Sequence, residues 1–102
     1  IQKSCSRVLR YVGTVDFDQF VKNDQMYDAV IRNLEIIGEA ARNMPDEIKR
    51  QYSQVEWRSI GALRNLLAHE YFGVKDEIIW DIIEHKIPVL LDQVDLILSE
   101  LK

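Results

Sequence analysis

The chain has 102 residues, 47% hydrophobic and 29% charged, with a net charge of −4. That length fits one domain with a single core and excludes two, and the composition excludes a disordered chain. The acidic balance excludes a general nucleic-acid binder, so any contact with RNA has to run through a small local cluster of arginines. No apolar run nears the ~20 residues of a membrane span and no basic-then-apolar leader opens the chain, which predicts a cytoplasmic protein without membrane contact. A lone cysteine, Cys5, agrees with that compartment and reads as a core residue on an apolar helix face. The chain begins at Ile1, so a shortened first helix is expected.

In chain order, Ile1, Cys5, Val8, Leu9 and Val12 recur at helical spacing and Gly13 stops them. In "VDFDQFVKN", Asp16 is placed to cap one or two turns that bury Phe17 and Phe20. From Asp24 a long helix carries Tyr27, Val30, Ile31, Leu34, Ile37, Gly38, Ala41 and Met44 on one stripe. Arg32, Glu35, Glu39 and Arg42 lie off that stripe, three apart in two pairs, the pattern of surface ion pairs along one helix. Pro45 suits the first position of a short, mostly solvated helix with Asp46 and Glu47 in its first turn. Another helix is expected from near Val55 to a stop at Gly73. The last spans roughly Lys75 to Leu101 with a broad apolar face of Ile78, Ile79, Ile82, Ile83, Ile87, Leu90, Leu91, Val94, Ile97, Leu98 and Leu101, and Pro88 should bend or break it. With no alternating strand pattern, the expected fold is all-α: one antiparallel bundle over residues 1–102, of four main helices plus short ones.

The stretch "LRNLLAHEYFG" departs from plain packing. At 100° per residue, Ile60, Leu63, Leu66 and Leu67 face the core, while Arg58, Ala62, Asn65 and His69 face away, bordered by Gly61, Ala68 and Phe72. Two readings fit this second face. It is a contact surface for another subunit, with Gly61, Ala62 and Ala68 letting a backbone approach, or the helix is buried between two neighbours and its polar groups are satisfied there.

Arg64 and His69, an arginine, four residues and a histidine, together with "AVIRNLEIIGEAA", "W..I..LRNLLAHEYFGV" and "IIWDIIEHKIPVLL", resemble the HepT-like branch of the HEPN superfamily, toxins of minimal nucleotidyltransferase toxin–antitoxin pairs. The resemblance runs from Tyr27 to Leu91. It implies a metal-independent, homodimeric endoribonuclease whose site forms where two motif helices meet. It also implies a partner nucleotidyltransferase antitoxin that adenylylates Tyr71, two residues after the histidine.

The residues fit that chemistry in part. Cleaving RNA without a metal needs a base, an acid and positive charge at the phosphate. One histidine cannot be base and acid at once, whereas a dimer brings two copies of His69, and its ordinary pKa of roughly 6.5 suits both roles. Arg64 can clamp the phosphate, although five residues turn a straight helix by ~140° and put it on a different face from His69. Asn65, one turn before His69, either orients the imidazole or simply packs. Tyr71 lies close to the core stripe, so burial competes with modification. Glu70 either balances Arg64 or a neighbouring lysine or is a solvated charge, and His85 has no role here; no histidine or cysteine pattern makes a metal site, and no glycine-rich phosphate loop or cofactor motif is present. The alternative function is a non-catalytic helical module that binds a nucleotidyltransferase.

Overall fold

The computed structural model describes residues 1–69 and 76–101, with only the backbone of Ala68 and His69. The expected stop at Gly73, the expected start at Lys75 and the position of Tyr71 lie outside the described residues. Among those described there is no strand, and the helices are α1 (Gln2–Val12), α2 (Phe17–Lys22), α3 (Asp24–Arg42), α4 (Asp46–Gln51), α5 (Trp57–His69), α6 (Asp76–Asp81) and α7 (Ile87–Glu100), with a π turn over Ile82–Lys86. No helix among them is long and apolar enough to cross a membrane.

The local signals account for most ends. Gly13 closes α1 at φ +49°, a conformation that side-chain-bearing residues rarely adopt, and its N–H donates to the Leu9 carbonyl. Asp16 accepts from the Gln19 N–H while Gln19 accepts from the Asp16 N–H, a reciprocal cap that lets a six-residue helix form. Asn23 caps α3 through the Met26 N–H. Pro45 precedes α4 rather than occupying its first position, and α5 begins at Trp57, two residues after Val55. The indole N–H of Trp57 donates to the Tyr52 carbonyl at 3.0 Å, fixing that entry.

The last expected helix is three pieces. Pro88 has no N–H and its ring would press on the carbonyl four residues back, Glu84. The chain answers by widening, and the Ile87 N–H reaches the carbonyl of Ile82, five residues back. The apolar face of this segment is also only partly covered. Ile79, Ile83, Ile87, Leu90, Val94 and Ile97 are buried, but Ile78, Leu98 and Leu101 are exposed, because the run wraps wider than its packed neighbours reach.

α3 is the central member, in contact with both α1 and α5, and α7 packs against α1. The α3 stripe is buried at Val30, Ile31, Leu34, Ile37, Gly38 and Ala41. Cys5 and Val8 of α1 close on it as fully buried core residues. Phe20 stacks between Tyr27 and Trp80, 5.2 Å from each ring, and Phe17 meets Trp80 edge-on at 6.1 Å, which joins α2, α3 and α6. The Tyr27 hydroxyl donates to Asp76 at 2.8 Å. Gln2 of α1 donates to Asp95 of α7.

Candidate functional site

α3 and α5 run antiparallel and unusually close. A Cβ placed on Gly38 would lie 2.7 Å from the Arg64 nitrogen and 3.1 Å from the Ile60 carbonyl oxygen. One on Gly61 would lie 2.8 Å from Cγ of Arg42. Two glycines facing each other's helix thus set the register, and that register decides which polar side chains meet.

They meet across the helices, not along α3. Glu39 does not pair with Arg42; its carboxylate lies 3.1 Å from Arg64 Nε, both side chains about half exposed. Arg42 instead donates to the Asn65 side-chain oxygen at 3.3 Å. No Arg32–Glu35 ion pair forms among the described residues. The expected pairs within one helix are therefore corrected: one turn of α3 holds two adjacent motif residues. At this exposure the Glu39–Arg64 pair is worth about 0.2–1 kcal/mol, so its effect is orientation more than stability. It occupies one guanidinium nitrogen and leaves the planar terminal amines as donors.

Beside Asn65 the surface opens into a cleft of about 530 Å³ lined by Arg42, Lys49, Trp57, Arg58, Gly61, Ala62 and Asn65. Three of these are cations and none is a carboxylate. The Lys49 ammonium is tied by a 3.2 Å hydrogen bond to the Arg42 carbonyl. An acidic chain thus concentrates positive charge on the flank of its motif helix, the local arginine cluster that contact with RNA would require.

The predicted site residues are distributed as follows. Arg64 and Asn65 are exposed on α5, contacted by Glu39 and Arg42. His69 is the last residue of α5, one turn beyond Asn65. Tyr71 is outside the described residues. Ala62 is exposed, whereas Gly61 is buried under Arg42 of its own chain. On the other face Leu67 is buried, while Ile60, Leu63 and Leu66 are only partly so. Leu63 and Ile60 border an apolar groove with Ile82, Ile87 and Leu90. His85 is exposed, 3.8 Å from Asp81 and from Glu84.

Sequence reading missed Glu39, Arg42 and Lys49 as parts of the site, and placed Arg58 on the polar face without a role. The available signal was Gly38 in the core stripe. A glycine there brings α5 against α3, and Glu39 and Arg42 are the polar residues nearest that approach.

Comparison with known proteins agrees with the residues. A Caldanaerobacter subterraneus subsp. tengcongensis protein provisionally named an RNase is 42% identical over 102 residues, covering all of this chain and 91% of its own. A Methanocaldococcus jannaschii protein, also provisionally named an RNase, is 36% identical over 102 residues, all of this chain and 84% of its own. A Thermococcus cleftensis protein provisionally named ribonuclease HepT is 34% identical over 90 residues, 88% of this chain and 82% of its own. No solved structure matches the chain. The family described as ribonuclease HepT-like matches residues 1–97, and the chain belongs to that family.

Proposed function

We propose that this protein is a cytoplasmic endoribonuclease toxin of a toxin–antitoxin pair, cutting RNA without a metal ion or cofactor at a centre completed by two copies of the chain. The observation that carries the reading is the pairing of Arg64 and Asn65 with a three-cation cleft in a chain of net charge −4. One His69 takes the proton of a 2′-hydroxyl, whose oxygen attacks the adjacent phosphorus. The phosphorus–5′-oxygen bond breaks, and His69 of the second copy donates its proton to the departing oxygen. Products are a 2′,3′-cyclic phosphate and a free 5′-hydroxyl. Arg64 balances the charge that builds on the phosphoryl oxygens, held in orientation by Glu39. Asn65, itself held by Arg42, orients the imidazole one turn away. The two copies face each other across α5, at the exposed Ala62 and Asn65 with Gly61 beneath them and Ala68 further along the helix.

Control falls to a partner nucleotidyltransferase that attaches adenylate to Tyr71. An adenylate phosphate two residues from His69 puts negative charge where the substrate phosphate binds and competes for Arg64. Incubation with the cognate transferase and ATP should add one adenylate mass per chain at Tyr71 and abolish cleavage, and Tyr71→Phe should stay active and unmodified. An unmodified but inhibited chain would mean that the antitoxin acts by binding alone.

A second reading, a non-catalytic helical module that docks a nucleotidyltransferase, draws on the net acidity and on Glu39 occupying the arginine. The rate–pH profile separates the two. Two histidines in opposite protonation states give a bell with limbs near the histidine range, whereas a module gives no rate to profile.

A further inference from the structure

We propose that the Arg42–Lys49–Arg58 cleft is a second phosphate site for the substrate strand, holding a backbone phosphate of single-stranded RNA away from the bond that is cut. This inference rests on the ribonuclease reading of Arg64 and His69. Chemically the cleft is an anion site: among the described residues three cations line it with no carboxylate, and Asn65 adds an amide. Its cations come from different elements, Arg42 from the end of α3, Lys49 from α4 and Arg58 from the first turn of α5. They converge because α4 folds back, with Lys49 bound to the Arg42 carbonyl.

Phosphate rather than base is the group recognised. Trp57, the one aromatic among the described lining residues, is 8% exposed and its N–H is committed to Tyr52, so its ring face is not offered for stacking. Contacts there position the strand and carry no sequence information. A single strand fits better than a duplex on two counts. The cations meet in one compact cleft instead of the spread of contacts that two A-form grooves require. In-line attack by a 2′-hydroxyl also needs a sugar–phosphate torsion that duplex stacking resists. The cleft shares Asn65 with the motif and Gly61 and Ala62 with the face where the two copies meet, so Arg42, Lys49 and Arg58 hold a phosphate at the edge of that contact, and one seated there fixes which neighbouring bond reaches Arg64 and His69.

The test measures binding and cutting separately. Binding of a labelled single-stranded RNA oligonucleotide to the full chain in a His69→Ala background is followed by fluorescence anisotropy across salt concentrations. Lys49→Gln and Arg58→Gln together should weaken binding about tenfold or more and lower the salt slope by about 0.7 per cation removed, equally for uridine-rich and adenosine-rich strands. Arg42→Gln should add to this. Lys3→Gln with Arg7→Gln, exposed cations on α1, should leave the affinity within twofold. In the His69-intact chain Lys49→Gln and Arg58→Gln should raise KM for RNA much more than they lower kcat, with the mass by light scattering unchanged. Equal affinity and slope in cleft variants and wild type would overturn the site while leaving the ribonuclease reading standing if the wild type cuts RNA. Cleft-dependent binding by a wild type that never cuts would keep the site and remove the catalytic reading. Loss of affinity for ATP with unchanged affinity for RNA would reassign the cleft to a free nucleotide and overturn the inference.

Discussion

Gly38→Ala tests the close approach of α3 and α5 on which the arrangement of Arg64 and Asn65 depends. The added methyl would sit 2.7 Å from the Arg64 nitrogen, 3.1 Å from the Ile60 carbonyl oxygen and 3.2 Å from Arg64 Cβ. Heavy atoms pack best near ~3.5 Å, so the first contact is short by roughly 0.8 Å. Two of the three atoms are backbone of a helix and cannot step aside without moving α5. Overpacking of this kind costs about 1–3 kcal/mol, and two backbone contacts that cannot yield put this case at about 2–3 kcal/mol; alanine in place of glycine within a helix recovers about 1 kcal/mol, leaving a net loss of about 1–2 kcal/mol. In urea denaturation the midpoint should fall by roughly 1 M with an unchanged slope. Gly61→Ala is the comparison. Its methyl would meet Cγ of the flexible Arg42 side chain at 2.8 Å, with nearby backbone at 3.6 and 3.7 Å, so stability should hold while Arg42 is pushed off Asn65 and RNA affinity falls. A Gly38→Ala protein as stable as wild type would refute the tight α3–α5 spacing and the register drawn from it.

Other outcomes follow from single features. Burial pushes the Cys5 thiol up to about 11 from 9.0, so the native chain keeps it neutral where the unfolded chain ionises it. Stability from this residue is therefore complete below pH 9 and is lost as pH rises from 9 through 11; denaturation at stepped pH should show that loss in wild type and not in Cys5→Ala. Asp16→Ala removes the reciprocal cap of α2 and should cost about 1 kcal/mol in the same assay, with no change in RNA cleavage. Ala62→Arg places a charge on the exposed face of α5 and should halve the mass seen by light scattering and abolish activity together; a wild type already monomeric at micromolar concentration would remove the two-chain centre.

Signals confined to one stretch of chain were legible without coordinates. Gly13, Asp16 and the α3 stripe act through neighbours within four residues, and each sits where spacing placed it. Pro88 announced a disturbance, but a missing N–H does not say how a helix will adjust, and the π turn at Ile82–Lys86 emerged only from the fold. The site was half legible. Arg64 and Asn65 stood out as polar residues on an apolar helix, yet their partners did not. Spacing along α3 favours pairs three apart, whereas the partners of Glu39 and Arg42 were chosen by the register of two packed helices. Lys49 reaches the cleft only because α4 folds back over the end of α3, a tertiary fact with no trace in periodicity.

The most direct measurement is cleavage of a single-stranded RNA by purified protein in excess chelator, comparing wild type with His69→Ala prepared identically and matched in melting temperature. Wild type should cut at an unchanged rate with chelator present, leaving cyclic phosphate ends, and His69→Ala should show no cutting while melting as wild type does. Cleavage that persists in His69→Ala, or that disappears from wild type when metal is removed, would contradict a metal-free centre built on His69 and Arg64.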